Sequence, residues 1–222
     1  MDKFSFSYAV KIIPIMLKYL KVTLSLATVS MIIGLIIAII LSMLLNKKNK
    51  VIDKIIGLYI SFFRGVPIIA QLFLFYLGLV QIFPSMRVIT ADQAAIFVFS
   101  LSSSAFMCES IRASILSIDK GQMEAALSIN MTYNQAMVRV ILPQAIRVAI
   151  PTLFNSFINL VKDSSLAFTI GVTEMIAAAQ MEATATFRYL EAFLDIAIVY
   201  WILVSLLTYI QKSLEVKMNK WY

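Results

Sequence analysis

The chain has 222 residues, of which 61% are hydrophobic and 14% charged, and its net charge is +7. A water-soluble domain carries about a quarter charged residues, so this composition excludes an ordinary soluble fold and points to an all-α integral membrane protein. Histidine is absent and Cys108 is the single cysteine, which excludes an intrachain disulfide and removes the usual metal ligands and proton shuttles.

Residues 1–20 carry Lys3, Lys11 and Lys18, and with Lys21 they read as a segment lying along the membrane interface. Five spanning stretches follow, each with the ~20 apolar residues that a hydrocarbon core demands. The first, 21–45, is much longer than a signal-peptide core and has no obvious cleavage site, so it is expected to be retained. The second, 55–83, is about 43 Å long at ~1.5 Å per residue, more than a bilayer core needs. Arg64-Gly65-Val66-Pro67 interrupts it. Pro67 lacks a donor and pushes Val66 out of the helical region, so a break is expected, with the membrane helix starting near Pro67. Gln71 lies one turn further on, a candidate for the pathway or for a helix–helix hydrogen bond. The third span is 91–116. Glu109 near its end has two candidate partners, Arg64 as a gate or brace and Arg112 one turn away.

Residues 117–140 form a polar island, read as a cytoplasmic loop. Asp119 with Gln122, and Thr132 with Gln135, have capping-box spacing. They predict a short helix from Lys120 to about Ile129 and a second from Tyr133. Asn130 sits at the turn, where a left-handed conformation is wanted. Met123, Ala126 and Leu127 share one face, and the small Ala125 and Ala126 allow close approach of another surface. Docking into a partner's groove and folding back on the chain's own bundle both fit this pattern.

The fourth span, 141–161, is expected to be broken up by Pro143 and Pro151. Charge inside a membrane costs at least ~2.5 kcal/mol by insertion scales, so its polar residues need a reason. Asn155, Asn159 and either Lys162 or Asp163 fall on one helical face. A free amino acid brings an ammonium, which Asp163 can accept, and a carboxylate, which Ser164 or helix-end amides can bind. Mutual neutralisation of Lys162 and Asp163 is the structural alternative. The stretch 165–180 is apolar but short, suiting a re-entrant or external helix, and 190–210 is the fifth span. With five spans, Lys47, Lys48, Lys50, Lys54, Arg112, Lys120, Arg139, Arg147, Lys212, Lys217 and Lys220 share one side. The smaller basic set, Lys3, Lys11, Lys18, Lys21, Arg87 and Arg188, takes the other. The larger set belongs inside, which puts the N-terminus outside and the C-terminus in the cytoplasm. The basic balance thus reads as membrane topology, with no nucleic-acid partner expected.

EAALSINMTYNQAMVRVILP resembles the EAA loop of ABC-transporter membrane subunits, with Glu124, Ala125, Ala126, Leu142 and Pro143 matching and Asn130 standing where the family has Gly. YISFFRGVPIIAQLFLFYLGL, SIDKGQMEAA, LPQAIRVAIP and NSFINLVKDSSLAFTIGV extend the likeness to the polar amino-acid importer branch. RGVPIIAQLF and KDSSLA are especially similar to L-cystine permeases. The resemblance implies a single type I importer transmembrane domain over 1–222, in a bacterial cell membrane. It implies two permease subunits, identical or homologous, and two ATPase subunits that bind ATP and Mg and receive the EAA helix. It also implies an extracellular or lipid-anchored solute-binding protein. Gly121 and Asn130 would bound the coupling helix, and Glu124 would anchor it. None of the six glycines opens a phosphate loop, so the chain is expected to carry no ATPase of its own. An ion-coupled secondary transporter is the alternative class; no convincing internal repeat supports it.

Overall fold

The computed structural model describes residues 4–45 and 49–219. The charges at Lys3, Lys47, Lys48 and Lys220 lie outside the described residues. Among those described the chain is helical, with no strand. Helix α1 is Phe6–Leu17, α2 is Leu20–Leu45 and α3 is Lys50–Gly65. Then come α4 (Ile68–Ile82), α5 (Ala91–Leu116), α6 (Lys120–Ser128), α7 (Tyr133–Ile170), α8 (Met175–Thr186) and α9 (Tyr189–Asn219). Four of these helices are long and apolar enough to cross a membrane, and α3 with α4 makes a fifth crossing if the bent pair counts as one.

The break in the second span falls at Val66–Pro67, as the sequence predicts. Val66 is extended at φ −94°, ψ 130°, and the two halves meet at 107°. A broken helix strands carbonyls that need donors. Gln71 supplies them: its Nε2 donates to Phe63 O at 3.1 Å and Val66 O at 2.8 Å. The third span has the expected bounds, because Thr90 and Gln93 close a capping box at its start.

The fourth span departs from expectation. Neither proline breaks it: α7 runs 38 residues, from Tyr133 to Ile170. Before Pro143 the chain widens into a π turn, Met137–Ile141. A wide turn moves the carbonyl of Arg139 off the proline ring, the clash that otherwise stops a helix. Pro151 lies within the helix, and its carbonyl accepts from Gln211 Nε2 of α9 at 3.1 Å. The helix ends in a tight 3₁₀ turn, Ser164–Ile170, closed by Gly171 at φ +97°. Helix α8, with 12 residues, is too short to span.

Two features position the site. Helices α2 and α5 pack closely, with buried Ala27, Ser30, Gly34 and Ala38 on the α2 face. A Cβ at Gly34 would lie 2.5 Å from Ser103 Oγ and 2.9 Å from Ser100 O. Small residues let membrane helices approach this far and gain dispersion contacts. A second core joins Ile12 and Met16 of α1, Met175, Ala179 and Ala183 of α8, and Ala192 and Ile196 of α9. This makes a lobe of α1, α8 and the start of α9.

Candidate functional site

A cleft of about 820 Å³ opens between the α3–α4 break, α5 and α7. Helix α5 lines it with Ser102, Ser103, Phe106, Glu109 and Ser110. Helix α7 lines it with Thr152, Asn155, Ser156, Asn159, Lys162 and Asp163, and Arg64 and Ile68 complete the wall. Each helix presents one face, at three- and four-residue spacing. Asn155, Asn159, Lys162 and Asp163 are therefore brought together as expected, and both Lys162 and Asp163 reach the cleft. No described ion pair joins those two. The wall thus offers donors, acceptors and both signs of charge, which suits a zwitterion's two ends.

Glu109 stands between two arginines. Arg64 Nη1 and Arg112 Nη1 each lie 3.8 Å from one of its oxygens. Both contacts are long and partly exposed, so each contributes at most about 1 kcal/mol. The Arg64 guanidinium also sits over the Phe106 ring, 5.5 Å from its centre. Glu109 and Arg112, with Asp53 and Gly57, line a smaller cavity of about 260 Å³. The cluster joins the end of α3 to α5.

Two expected pathway residues lie elsewhere. Gln71 is fully buried and caps the broken helix, because stranded carbonyls at Phe63 and Val66 take its donors. Ser164 is fully buried and off the cleft wall; its Oγ donates to Val161 O at 2.8 Å. The tight 3₁₀ turn that starts at Ser164 rotates it away from the face that Asp163 continues.

The polar island folds nearly as read. Helix α6 spans Lys120–Ser128, Asn130 is left-handed at φ 61°, and Thr132 with Gln135 forms the second capping box. The first box does not form. Asp119 Oδ1 instead accepts from Gly121 N–H at 2.7 Å, and Gln122 Oε1 accepts from Gln144 Nε2 at 3.3 Å. Gln144 is 22 residues from Gln122 in sequence, so its pull was not visible locally. Glu124 and Ala125 are exposed, but Ala126 is buried against the chain's own fold. The alanine pair is thus split between an outward and an inward face. Leu127, Ile129, Tyr133 and Val138 add exposed apolar surface around α6. Leu142 is half-buried and Pro143 exposed.

The serines of α5 and Thr152 were missed as cleft residues. Their signal was present in the run Ser100, Ser102, Ser103, Ser104 and Ser110 within an apolar span.

Residues 12–220 match the family of binding-protein-dependent transport system inner membrane components. The chain belongs to this family. The permease is 52% identical over 219 residues to the "Probable amino-acid ABC transporter permease protein PatM" of Vibrio harveyi, covering 99% of this chain and 98% of that one. It is 38% identical to the arginine transport system permease protein ArtQ and 40% identical to the L-cystine transport system permease protein TcyB, both of Bacillus subtilis (strain 168). Those matches cover 96% and 90% of this chain, and 97% and 84% of the relatives. Its fold superposes on the crystal structure of an amino acid ABC transporter with histidines at a TM-score of 0.92, with 32% identity, covering 97% of this chain and all of that one. It is a multi-pass membrane protein of the polar amino-acid ABC importer type.

Proposed function

We propose that this permease carries polar amino acids, L-cystine among them, through the α5–α7 cleft, driven by ATP hydrolysed on a partner. The observation that supports this most is the cleft itself. An apolar bundle keeps Asn155, Asn159, Lys162 and Asp163 on one open wall although charge in a membrane is costly. In this reading Asp163 takes the substrate ammonium. Lys162 and the asparagine amides take the carboxylate and side chain. Arg64 and Glu109 brace the cleft and move apart as it opens.

The power stroke enters at α6. Its exposed Glu124 and Ala125, flanked by Leu127, Ile129 and Tyr133, form a small raised surface for an ATPase groove. Gly121 and Asn130 bound that helix, and Leu142 and Pro143 carry its motion into α7. Two ATPase subunits hold ATP and Mg. A second permease, identical or homologous, completes the pathway, and an external binding protein delivers substrate. The N-terminus lies outside and the C-terminus, with α6, in the cytoplasm. ATP and the loaded binding protein each favour one of two states, and this difference drives transport. The exposed apolar faces of α2 and α9 meet lipid.

Uptake into proteoliposomes tests this, with cognate ATPase and binding protein and labelled cystine competed by arginine, glutamine and histidine. ATP-dependent uptake that unlabelled cystine abolishes is expected. Uptake driven by an ion gradient without ATP would overturn the reading in favour of a secondary carrier.

A further inference from the structure

Asp163 lines the cleft, and the next residue belongs to a different environment. Ser164, fully buried, has its hydroxyl beside that of Tyr200 in α9, with its own proton given to Val161 O at 2.8 Å, and Thr23 of α2 lies beside Tyr200 as well. Tyr200 O–H donates to Glu174 Oε2 at 3.0 Å, and Thr23 O–H reaches the same oxygen at 3.5 Å. Glu174 Oε1 accepts from Ala177 N–H at 2.8 Å in the first turn of α8. Met175 N–H donates in turn to Thr23 Oγ1 at 3.4 Å. Glu174 and Thr23 are both fully buried.

This is a carboxylate with both oxygens engaged, seated at a helix N-terminus whose dipole favours negative charge. Burial pushes the Glu174 carboxyl above its ordinary range, while the backbone N–H groups of Ile176 and Ala177 pull it back. A fully satisfied buried network holds one geometry and resists small shifts. Its hydrogen bonds tie α2, α8 and α9 at one point, and the turn that begins at Ser164 packs against α2 and α8 beside them. Helix α8 belongs to the lobe with α1 and the start of α9. Lobe and cleft wall are therefore joined through Glu174, with a single peptide bond separating Ser164 from Asp163.

We propose that Glu174 is a positioning residue for transport: through Tyr200 and Ser164 it sets where Asp163 stands in the cleft, so that movement of the α1–α8–α9 lobe relocates the Asp163 carboxylate. The proposal rests on the reading of the cleft as the pathway. It gives the lobe a function: a shift there changes the cleft without passing through α5.

The test uses the assembled transporter in proteoliposomes with Tyr200→Phe, Glu174→Gln and the double variant Glu174→Gln/Tyr200→Phe. Amino acids imported per ATP hydrolysed, apparent KM and thermal stability are measured for each. Tyr200→Phe is expected to keep binding-protein-stimulated ATP hydrolysis while import per ATP falls roughly fivefold or more, the span of ordinary coupling energies. The double variant is expected to match the worse of Glu174→Gln and Tyr200→Phe, because the two act in series. Unchanged import per ATP and KM, with only lower thermal stability, would assign the network a structural role and overturn the proposal; so would independent, multiplying losses. Asp163→Asn run alongside separates the two claims. If it leaves uptake intact, the cleft reading fails. If it abolishes uptake while Tyr200→Phe does not alter coupling, only the positioning role fails.

Discussion

Helix α5 has two faces that solve opposite problems. Toward α2 it is packed so tightly that Gly34 has no room for a single added carbon. Toward α7 it stands back and leaves about 820 Å³ open, lined by hydroxyls and Glu109. Serines serve both faces. Ser100 Oγ turns back to donate to Ile96 O at 2.6 Å, so its polarity is spent within its own helix and its small size is what α2 uses. Ser102 and Ser110 line the cleft instead, where their polarity faces the open volume. A membrane helix buried on both sides shows no single apolar stripe. The seam and the cleft are told apart by which neighbour comes close, not by composition.

The largest effect is expected at the seam. Gly34→Val places atoms against Ser103 Oγ and against the Ser100 carbonyl, which is backbone and cannot rotate away. Overpacking usually costs about 1–3 kcal/mol, and here α2 must also move off α5. Most of the folded protein should be lost, read as monodisperse yield in detergent. Gly34→Ala should give a smaller drop. Equal yields for Gly34→Val and wild type would show that the seam is looser than described. On the cleft side, Asn159→Leu inverts the pattern. Asn159 is exposed on the cleft wall, so stability should change little while uptake falls about tenfold, about 1.4 kcal/mol of lost recognition. A drop in both would mean that the two faces are not separable.

Gln71→Ala sharpens the boundary between the regions. Gln71 lies beside the cleft in sequence logic, yet in the fold it donates to two carbonyls at the Val66 break. Removing it leaves buried acceptors unpaired, about 1–3 kcal/mol. A thermal shift with unchanged apparent KM is expected; a changed KM with unchanged stability would restore Gln71 to the pathway.

What could be read from residues alone follows the same division. Span bounds were legible wherever the chemistry is local. The 91–116 span starts at Ala91 because Thr90 and Gln93 cap it, and the second span breaks at Val66 because Pro67 follows. Asn130 and Thr132 declared their backbone states for the same reason. Judgements that depend on a distant neighbour fared less well. Pro143 and Pro151 looked like breaks, but a π turn precedes one and the other lies inside a continuous helix, docked to α9 through Gln211, 60 residues away. Helical periodicity put Asn155, Asn159 and Asp163 on one cleft wall, yet could not show that Ser164 turns to Tyr200 once the 3₁₀ turn begins. Glu174 and Tyr200 lie 26 residues apart, a pairing that no local pattern signals.

The smallest effect is expected at Asn130, outside both faces of α5. Its φ of 61° lies in the left-handed region, which costs an alanine roughly 1–2 kcal/mol and a glycine almost nothing. Asn130→Ala should therefore lower thermal stability by about 2–4 °C, the shift that 1 kcal/mol produces in a chain of this size, and Asn130→Gly should not. The turn joins α6 to α7, and Met131 N–H closes it on Ala126 O at 3.2 Å. Relaxing it tilts α6 without touching the seam or the cleft. Apparent KM should then stay at the wild-type value in both variants, while import per ATP drops in Asn130→Ala alone. A rise in KM would mean that strain at this turn reaches the Asn155–Asn159 wall, and that the cleft is less independent of its cytoplasmic end than the seam is.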